Sequence, residues 1–312
     1  MKCLIVDQMH SSLLPMMGEI GVLADYQPLI TPEEVLKIIS SYDGIVVRSK
    51  MNLDQQFFEK ATALKFVARA GAGMDKIDVA AAAKNNILLL NAPEGNSNAL
   101  AEQALAMLLS LMNNLAIANL EVKSKIWKRE ANRGYELSGK RVGIIGYGHM
   151  GKAFARKLSL LGCQVMAFDK YKKNYGDEFV SEVSLESLQS QCDIITIHIS
   201  LDSSNRHFID EKFFESLVHP IWFLNTSRGE VVDTASLINA LQEGKVKGAA
   251  LDVLENENLA SLTAQQTKDF DYLVQANNVL LSPHVGGWTF ESYEKINQVL
   301  VAKILDYKNS LL

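Results

Sequence analysis

The stretch Gly143-Ile-Ile-Gly-Tyr-Gly-His-Met-Gly151 decides the fold that this sequence predicts. An apolar run, Val142 to Ile145, leads into the glycines, and a helical segment begins near Met150. In this pattern the first glycine allows a tight turn, the second lets the backbone approach a pyrophosphate, and the third lets the helix pack against the strand. The three glycines are Gly146, Gly148 and Gly151. The pattern predicts a phosphate-binding turn at the amino end of a helix.

An acidic residue further along supports the same interpretation. The next apolar run, Gln164 to Phe168, ends at Asp169, which lies 21 residues after Gly148. A carboxylate there accepts hydrogen bonds from the ribose hydroxyls and repels a 2′-phosphate, so the sequence favours NAD over NADP. Lys170 and Lys172 follow and would weaken that preference. A glycine-rich turn with a surface aspartate is the alternative, but the order of strand, turn, helix, strand and acid favours a cofactor site.

Short runs rich in valine, isoleucine and leucine alternate with segments of helical length along the whole chain. Such alternation predicts an α/β fold with doubly wound parallel sheets. The predicted strands of the first half are residues 3–6, 44–47, 65–68 and 87–90. The six predicted strands of the second half are residues 141–145, 164–168, 193–197, 222–224, 248–251 and 279–281.

Helical segments connect and close these two sets of strands. Residues 98–120 are rich in alanine, leucine and methionine and predict one long helix, and the polar stretch 123–139 is the candidate link between domains. A closing helix after Gly287 would pack back on the first domain. Its predicted apolar positions are Tyr293, Ile296, Val299, Leu300, Ile304 and Leu305.

Length and composition limit the classes of protein that this sequence fits. A chain of 312 residues with 48% apolar residues fills two hydrophobic cores. The net charge is −5, from 31 basic and 36 acidic residues without a lysine-rich tract, so we expect no binding to nucleic acid. The first apolar run is too short for a secretory signal, and the apolar stretch Ala104 to Met112 predicts a buried helix and no membrane span.

The cysteines indicate a reducing compartment. Cys3, Cys163 and Cys192 lie within or beside apolar runs, without a spacing suited to zinc or to a paired disulfide. We therefore expect three reduced thiols, no metal site and a cytoplasmic location.

Three polar residues stand just beyond apolar strands in the second half. Arg228 lies in Asn225-Thr-Ser-Arg-Gly229, Glu257 closes Leu251-Asp-Val-Leu-Glu-Asn-Glu257, and His284 lies in Ser282-Pro-His-Val-Gly-Gly287. Each residue singly is more often solvated. All three, however, follow strands of the sheet that carries the glycine turn, at the edge where α/β proteins bind ligands.

The three side chains suit hydride transfer at carbon 2 of a hydroxy or keto acid. An arginine fork holds a carboxylate at two points and polarises the carbonyl, which is the role predicted for Arg228. Histidine exchanges protons near neutral pH, so His284 is the predicted acid and base. A carboxylate on the far ring nitrogen orients the ring and favours the imidazolium, which is the role predicted for Glu257.

With these motifs together, the chain resembles the D-isomer-specific 2-hydroxyacid dehydrogenases, and within them the phosphoglycerate dehydrogenases. The resemblance also covers Val47-Arg-Ser49, Ala68-Arg-Ala-Gly-Ala-Gly-Met-Asp75 and Asn91-Ala-Pro-Glu-Gly-Asn96. It implies two Rossmann-like domains, with an NAD-binding domain of residues 98–285 inserted into a discontinuous substrate domain of residues 1–97 and 286–312. It also implies an active site in the cleft between them and a homodimer joined through the long helix and the segment after it. Ala99 to Met112 is the candidate interface, and a buried core is the alternative for that stretch.

The resemblance assigns roles to individual residues. The catalytic arginine, glutamate and histidine of the family fall on Arg228, Glu257 and His284. The implied cofactor contacts are Gly146, Gly148, His149, Met150, Gly151, Asp169, His198, Ser200, Thr226, Ser227, Asp252, Gly286 and Gly287. The implied substrate contacts are Arg48, Ser49, Arg69, Ala70, Gly71, Ala72 and Gly73, with the backbone of residues 70–73 receiving the carboxylate.

The sequence also departs from the family pattern. The family commonly has proline at the positions of Ser200 and Asn258, and the stretch 258–278 is longer than usual. The chain stops at Leu312, so we expect no carboxy-terminal regulatory domain and no feedback by serine.

The substrate is the least determined prediction. Arg48 and Arg69 match positions that phosphoglycerate dehydrogenases use for phosphate, and Lys128, Arg129 and Arg133 could add cations across a dimer. We therefore expect 3-phosphoglycerate, with a hydroxypyruvate or glyoxylate reductase as the nearest alternative and other D-2-hydroxyacid dehydrogenases next. Glu257 disfavours a formate dehydrogenase, which has an uncharged amide there. An NAD-sensing corepressor is the alternative from another class, although long polar tails for recruiting partners are absent.

Overall fold

Two parallel β-sheets organise the chain in the computed structural model, which describes residues 1–311. The chain divides into a first unit, Met1–Ser97 with Trp288–Leu312, and a second unit, Asn98–Gly287, inserted between those two segments. Each unit has its own sheet and its own core. Parallel strands need a crossover between neighbours, so helices alternate with strands throughout, as the sequence predicts.

The first unit has a five-stranded sheet in the order β2-β1-β3-β4-β5. Its strands are β1 (Lys2–Ile5), β2 (Leu23–Tyr26), β3 (Gly44–Val47), β4 (Phe66–Arg69) and β5 (Leu88–Asn91). Its helices are α1 (Leu13–Glu19), α2 (Pro32–Ile38), α3 (Gln55–Lys60), α4 (Val79–Lys84) and α12 (Phe290–Asn309), with a 3₁₀ turn at Ile39–Ser41.

The closing helix α12 packs on the sheet of the first unit. Four of its apolar residues, Ile296, Leu300, Val301 and Ile304, are buried in one cluster with Cys3 and Ile5 of β1. Burying an aliphatic side chain contributes about 1.5–3 kcal/mol, so this face fastens the end of the chain to the first strand. The predicted helix and its packing are confirmed.

The second unit has a seven-stranded sheet in the order β12-β11-β10-β9-β6-β7-β8. Its strands are β6 (Arg141–Ile145), β7 (Gln164–Phe168), β8 (Ser181–Glu182), β9 (Ile194–Ile197), β10 (Ile221–Asn225), β11 (Val246–Leu251) and β12 (Val279–Leu281). Its helices are α5 (Pro93–Met112), which begins in the first unit, α6 (Leu115–Lys123), α7 (His149–Leu160), α8 (Leu185–Gln191), α9 (Glu211–Glu215), α10 (Thr234–Gln242) and α11 (Ala264–Gln275), with 3₁₀ turns at Gly229–Val231 and Leu259–Ser261.

Strand β6 is the point at which the chain changes direction across this sheet. The chain proceeds from β6 to β7 and β8 on one side, and then returns to β9 and its successors on the other. In doubly wound sheets ligands bind at the carboxyl edge beside such a switch point. The glycine turn directly follows β6 and therefore occupies that position.

Two strands, β2 and β8, are absent from the strands that the sequence predicts. Strand β2 has the sequence Leu-Ala-Asp-Tyr at the edge of its sheet, and β8 is only two residues long with both side chains exposed. Neither strand contains a run of β-branched residues. An edge strand buries little side-chain surface, so its sequence need not be apolar or β-branched. The second sheet therefore has seven strands instead of the predicted six.

The prediction of one helix over residues 98–120 was wrong. Helix α5 starts earlier, at Pro93, since proline at the first helical position gives up no hydrogen bond, and it ends at Met112. Asn114 has a φ of 52°, in the left-handed region, and α6 starts at the next residue. The sequence does not reveal this break, because apolar residues continue on both sides of it, up to Met112 and again from Leu115.

The first boundary between the units falls inside α5, between Ser97 and Asn98, where the predicted domain bounds 1–97 and 98–285 also meet, and the polar stretch 123–139 lies within the second unit. The second boundary lies two residues later than the predicted 286, because Gly286 and Gly287 belong with the second unit. The backbone N–H of Gly286 donates to the carboxylate of Asp252, 2.7 Å away. That hydrogen bond ties the segment to β11.

No single helix within residues 1–311 is long and apolar enough to cross a membrane. Helices α5 and α6 pass that test together by length and composition, but they are bent by 62° at their junction. Ala104, Met107, Leu108, Leu111 and Met112 are buried in a core cluster, as predicted for this stretch.

We predict that Gly95→Ala destabilises the first unit. A Cβ at Gly95 would lie 2.7 Å from the Cα of Ile296, so α5 and α12 would have to separate. Overpacking against backbone lowers the free energy of unfolding by about 1–3 kcal/mol, measurable by urea denaturation. Gly18→Ala in α1 is the matched control, since a Cβ there meets nothing within 4 Å. An unchanged or raised stability of Gly95→Ala would show that the two helices can move apart freely.

Candidate active site

The predicted site residues of the second unit gather at one edge of its sheet. The glycine turn follows β6, Asp169 follows β7, His198 follows β9, Thr226 to Arg228 follow β10, Asp252 follows β11 and His284 follows β12. All neighbouring strands pair in parallel, so their carboxyl ends lie at the same edge. The sheet therefore brings together side chains that are far apart in sequence.

The glycine turn has the geometry that a pyrophosphate requires. Gly146 has a φ of 98°, and a Cβ there would lie 2.7 Å from the carbonyl oxygen of His198. A Cβ at Gly151 would lie 2.2 Å from the carbonyl oxygen of Gly146. Gly148 forms the N-cap of α7 and no side chain caps that helix, so its first amide N–H groups have no acceptor within the helix. Open amides at a helix amino end bind phosphate oxygens.

A cavity of ≈ 210 Å³ adjoins the turn and contains Asp169 in its wall. The carboxylate of Asp169 accepts backbone N–H bonds from Tyr147, Tyr171 and Lys172 at 2.9–3.0 Å. Burial opposes its ionisation, but these bonds and the charge of Lys172 hold the pKa of Asp169 below its ordinary value. A fixed negative charge thus stands where the ribose hydroxyls of NAD would bind.

The ammonium groups of Lys170 and Lys172 donate hydrogen bonds to groups other than the carboxylate of Asp169. The ammonium of Lys172 donates to the carbonyl oxygen of Tyr147 at 2.8 Å, and that of Lys170 donates to the hydroxyl of Ser204 at 3.0 Å. Both contacts hold the positive charges in place beside the cavity. The exposed Ser200, which stands where the family commonly has proline, also lines the cavity.

Two buried polar atoms at this edge lack a hydrogen-bond partner among residues 1–311. They are Nδ1 of His198 and Oγ1 of Thr226. Burial lowers the pKa of His198 to about 4, so its ring is neutral, and Nε2 lies 3.0 Å from the hydroxyl of Thr196. Unpartnered buried polar groups cost stability unless a ligand or water satisfies them. Together with the open glycine turn, these atoms fit a dinucleotide.

His284 and Glu257 form the pair that the sequence predicts. The ring nitrogen Nδ1 of His284 lies 2.8 Å from a carboxylate oxygen of Glu257. The side chains are 38% and 46% exposed, so the pair is open to a substrate. A carboxylate on Nδ1 directs the proton to that nitrogen and leaves Nε2 for chemistry.

The backbone around His284 is strained and held by Asp252. His284 has a φ of 53°, which a side chain with a Cβ rarely adopts. The buried carboxylate of Asp252 accepts the hydroxyl of Ser282 at 2.6 Å, the N–H of Val285 at 3.0 Å and the N–H of Gly286 at 2.7 Å. Asp252 thus binds the loop both before and after His284. The sequence predicts a cofactor contact for Asp252 but not this structural role.

Arg228 stands on a turn that is fixed from two directions. The side chain of Asn225 donates to the carbonyl oxygen of Arg228 at 2.9 Å and accepts the N–H of Ser227 at 3.0 Å. A Cβ at Gly229 would lie 1.9 Å from the carbonyl carbon of Leu254, so the turn presses against the segment that leads to Glu257. The guanidinium donates to the carbonyl oxygen of Ser227 at 2.6 Å.

The predicted substrate residues lie at the carboxyl edge of the first sheet, after β3 and β4. Arg48 is half-buried and Ser49 exposed, and the carbonyl oxygen of Ser49 accepts the ammonium of Lys76. Arg69 donates to the carbonyl oxygen of Ala70 at 3.3 Å. Residues 70–73 form the turn after β4, in which Gly71 has a φ of 143°. Strands β3 and β4 are neighbours, so the two loops share one edge.

Asn225 and Ser282 are the supporting residues that sequence reasoning missed. Both are polar residues at or just beyond the end of an apolar strand, and Asn225 is 1% exposed. Their position at the end of an apolar strand could have marked them as site residues. The sequence does not show, however, which backbone groups such a side chain will contact.

We predict that Asp252→Asn lowers the free energy of unfolding by about 1–3 kcal/mol. The amide NH₂ of asparagine would replace one carboxylate oxygen and would face N–H or O–H groups of the loop that need an acceptor. Asp271→Asn, an exposed change on α11, is the matched control and should have no effect. Thermal and urea unfolding of both variants measure this. Equal stability of the two variants would mean that the three hydrogen bonds are not needed to hold the loop.

Comparisons with known proteins agree on one family. Residues 105–286 match the family model described as D-isomer specific 2-hydroxyacid dehydrogenase, NAD binding domain. A hydroxypyruvate reductase of Thermotoga maritima is 32% identical over 299 residues, which are 96% of this chain and 94% of that protein. A D-3-phosphoglycerate dehydrogenase of Archaeoglobus fulgidus is 30% identical over 313 residues, which are 100% of this chain and 58% of that protein. This chain thus spans little more than half the length of that relative.

The solved structures give the same result. The structure of a D-2-hydroxyisocaproate dehydrogenase has a TM-score of 0.81 and 26% identity to this chain, covering 98% of this chain and 96% of that one. The predicted fold class, two Rossmann-like domains with parallel sheets, is confirmed by this likeness and by the strand orders. The chain therefore belongs to the D-isomer-specific 2-hydroxyacid dehydrogenase family, and its second unit contains the NAD-binding domain of that family.

Proposed function

We propose that this chain is an NAD-dependent D-2-hydroxyacid dehydrogenase whose substrate is 3-phosphoglycerate, which it oxidises to 3-phosphohydroxypyruvate in serine biosynthesis. The observation that carries the enzymatic proposal is the 2.8 Å contact between Nδ1 of His284 and Glu257, at the sheet edge that also carries the glycine turn. His207 shares the left-handed backbone, the exposed ring and the carboxylate partner, so the position of His284 after β12, at the sheet edge of the glycine turn, is what distinguishes it.

The residues divide the reaction among themselves. Glu257 holds the proton of His284 on Nδ1, so Nε2 is free to accept the proton of the substrate hydroxyl. The resulting imidazolium is stabilised by the charge of Glu257. Arg228 binds the substrate carboxylate with its planar fork. Bound NAD supplies the acceptor for the hydrogen and two electrons that leave carbon 2.

The choice of a phosphorylated acid rests on the cations of the first unit. Arg48 directly follows β3 and Arg69 is the last residue of the neighbouring strand β4, so two arginines of the first unit stand at one sheet edge, in addition to Arg228 of the second unit. An acid with a carboxylate and a phosphate has two anionic ends and needs more than one cation. The D-3-phosphoglycerate dehydrogenase of Archaeoglobus fulgidus, similar over the whole of this chain, supports the same choice.

A hydroxypyruvate or glyoxylate reductase is the second candidate. The hydroxypyruvate reductase of Thermotoga maritima matches this chain over 94% of its own length, whereas the phosphoglycerate dehydrogenase extends well beyond it. That enzyme acts on the unphosphorylated acid, so the same catalytic residues with fewer anion contacts would suffice.

We also propose a homodimer formed through α6 and the segment after it. Within the described chain α6 has no buried residue, although it is mostly apolar. Leu115, Leu120 and Trp127 are 61%, 64% and 82% exposed. Large apolar side chains grouped in this way are typical of a protein interface.

We predict reduction of 3-phosphohydroxypyruvate with NADH at a kcat/KM at least about tenfold above that for hydroxypyruvate or glyoxylate, since a second anionic end adds charge-assisted hydrogen bonds of about 1.5–3 kcal/mol. Initial rates of NADH oxidation with the three acids measure this, and NADPH is the cofactor control. Preference for an unphosphorylated acid would favour the reductase, and no turnover with any acid would contradict the enzymatic proposal.

We predict that His284→Ala lowers kcat by roughly a hundredfold or more, because the proton of the hydroxyl then has no acceptor. The Kd for NADH should stay within about twofold of the wild type, since the variant removes no cofactor-binding group. His207→Ala is the matched control, because His207 has a similar carboxylate partner, Glu255, at 3.1 Å outside the proposed machinery. Near-normal turnover of His284→Ala would remove this residue from the mechanism.

A further inference from the structure

Arg48 is stacked against the ring of Trp288 in the first unit, with Tyr293 on the same side. The guanidinium carbon lies 3.6 Å from the ring centroid of Trp288 and 5.6 Å from that of Tyr293. The backbone N–H of Arg48 donates to the carboxylate of Asp7 at 2.6 Å, which fixes the start of the side chain. Both ends of Arg48 are therefore positioned by residues from other segments of the unit.

The stacking leaves the edge of the guanidinium open. Among residues 1–311 no hydrogen bond or ion pair engages the guanidinium nitrogens of Arg48, and none of these nitrogens belongs to the buried polar atoms that lack a partner. A ring above a guanidinium covers its face, whereas its N–H groups point outward in the plane. Arg69, in contrast, already donates to the carbonyl oxygen of Ala70. Of the two arginines at the carboxyl edge of the first sheet, Arg48 is thus the one whose guanidinium N–H groups make no hydrogen bond to another described residue.

The aromatic residues are themselves held firmly. Thr289 caps α12 by accepting the N–H of Ser292 at 3.0 Å, which fixes the helix start directly after Trp288. The hydroxyl of Tyr293 donates to the carbonyl oxygen of Gln8 at 2.8 Å. The rings of Trp288 and Tyr293 lie 4.6 Å apart. This arrangement restricts the indole and, through it, the guanidinium.

The surroundings favour binding of an anion. Burial lowers the pKa of Arg48 from its ordinary value, against the opposing effects of Tyr293 and Asp7, while arginine stays charged at neutral pH. A partly desolvated cation with open donors gains more from an anion than one in bulk water, because the local dielectric is lower. Two-point binding of phosphate by a planar fork then requires the plane to be held in one orientation.

We infer that Trp288 is a positioning residue that determines specificity: it holds the guanidinium of Arg48 flat so that the free N–H edge receives the phosphate of the substrate. This inference rests on the proposed function, since it assigns Arg48 to the phosphate end of a phosphorylated hydroxy acid. Trp288 itself does not contact the reacting carbon. Its contribution is to remove the rotational freedom of a long side chain before the substrate arrives.

The test compares Trp288→Ala and Trp288→Phe with the wild type, using 3-phosphohydroxypyruvate and hydroxypyruvate at saturating NADH. We expect Trp288→Ala to raise the KM for the phosphorylated acid about tenfold, with kcat and the KM for hydroxypyruvate within about twofold, which matches the usual size of a partly desolvated cation–π contact. Trp288→Phe should recover most of the loss. Phe290→Ala, two residues further along the chain at a 95% exposed position, is the matched control.

A double variant separates positioning from a general structural role. Arg48→Gln should reproduce the selective loss, and Arg48→Gln with Trp288→Ala should be no worse than Arg48→Gln alone, because Trp288 acts only through Arg48. Additive losses, or an equal loss for both acids in Trp288→Ala, would overturn the inference. Unchanged melting temperatures and NADH Kd values exclude misfolding as the cause.

Failure of the proposed function has a different signature. If the wild type shows no preference for the phosphorylated acid, or no turnover, inorganic phosphate serves as the probe, with its binding measured by thermal shift. About tenfold weaker phosphate binding in both Trp288→Ala and Arg48→Gln would retain the Trp288–Arg48 anion site while removing the substrate assignment. Equal phosphate binding by the wild type and Trp288→Ala would overturn the inference itself.

Discussion

The carboxylate of Asp252 is the interaction on which the candidate catalytic geometry depends. It is buried at the end of β11 and accepts three hydrogen bonds from the loop that follows β12. Because a buried charge is tolerated only with its donors in place, the loop cannot relax without exposing or abandoning that charge. This cost keeps His284 in a left-handed conformation that it would leave in a free peptide. The contact between His284 and Glu257 follows from a loop that is held in this way.

The cofactor end of the second unit depends on a different constraint, the close approach of backbone to backbone. At Gly146 and Gly151 there is no room for a Cβ, because the carbonyl oxygens of His198 and Gly146 lie where it would be. Strand β6, the turn and α7 can therefore pack tightly enough to aim the first amides of α7 outward. The neutral ring of His198 and the fixed charge of Asp169 flank the turn. The shape of the turn comes from the absence of side chains, and the negative charge beside it comes from Asp169.

Sequence reasoning succeeded where a residue type answers a local requirement. The glycine spacing, the acid after β7 and the polar residues after apolar strands each follow from what one strand or turn needs. It failed where the requirement was weak or distant. Strands β2 and β8 bury little, so no apolar period marks them, and the break at Asn114 interrupts a run that is apolar on both sides. Asn225 and Ser282 were missed because their partners are backbone groups, which every residue carries.

The sequence by itself determined the fold class and the alternation of strands and helices, because these depend on the periodicity of apolar residues. It also determined which residues are candidates for catalysis, because each role needs the chemistry of one residue type. Only the tertiary structure decided which side chains support them. Trp288 lies 240 residues from Arg48 in the chain and yet covers its guanidinium, since α12 returns to the first sheet. Contacts of this kind arise from packing between distant segments, where geometry selects one partner out of many that are chemically equivalent.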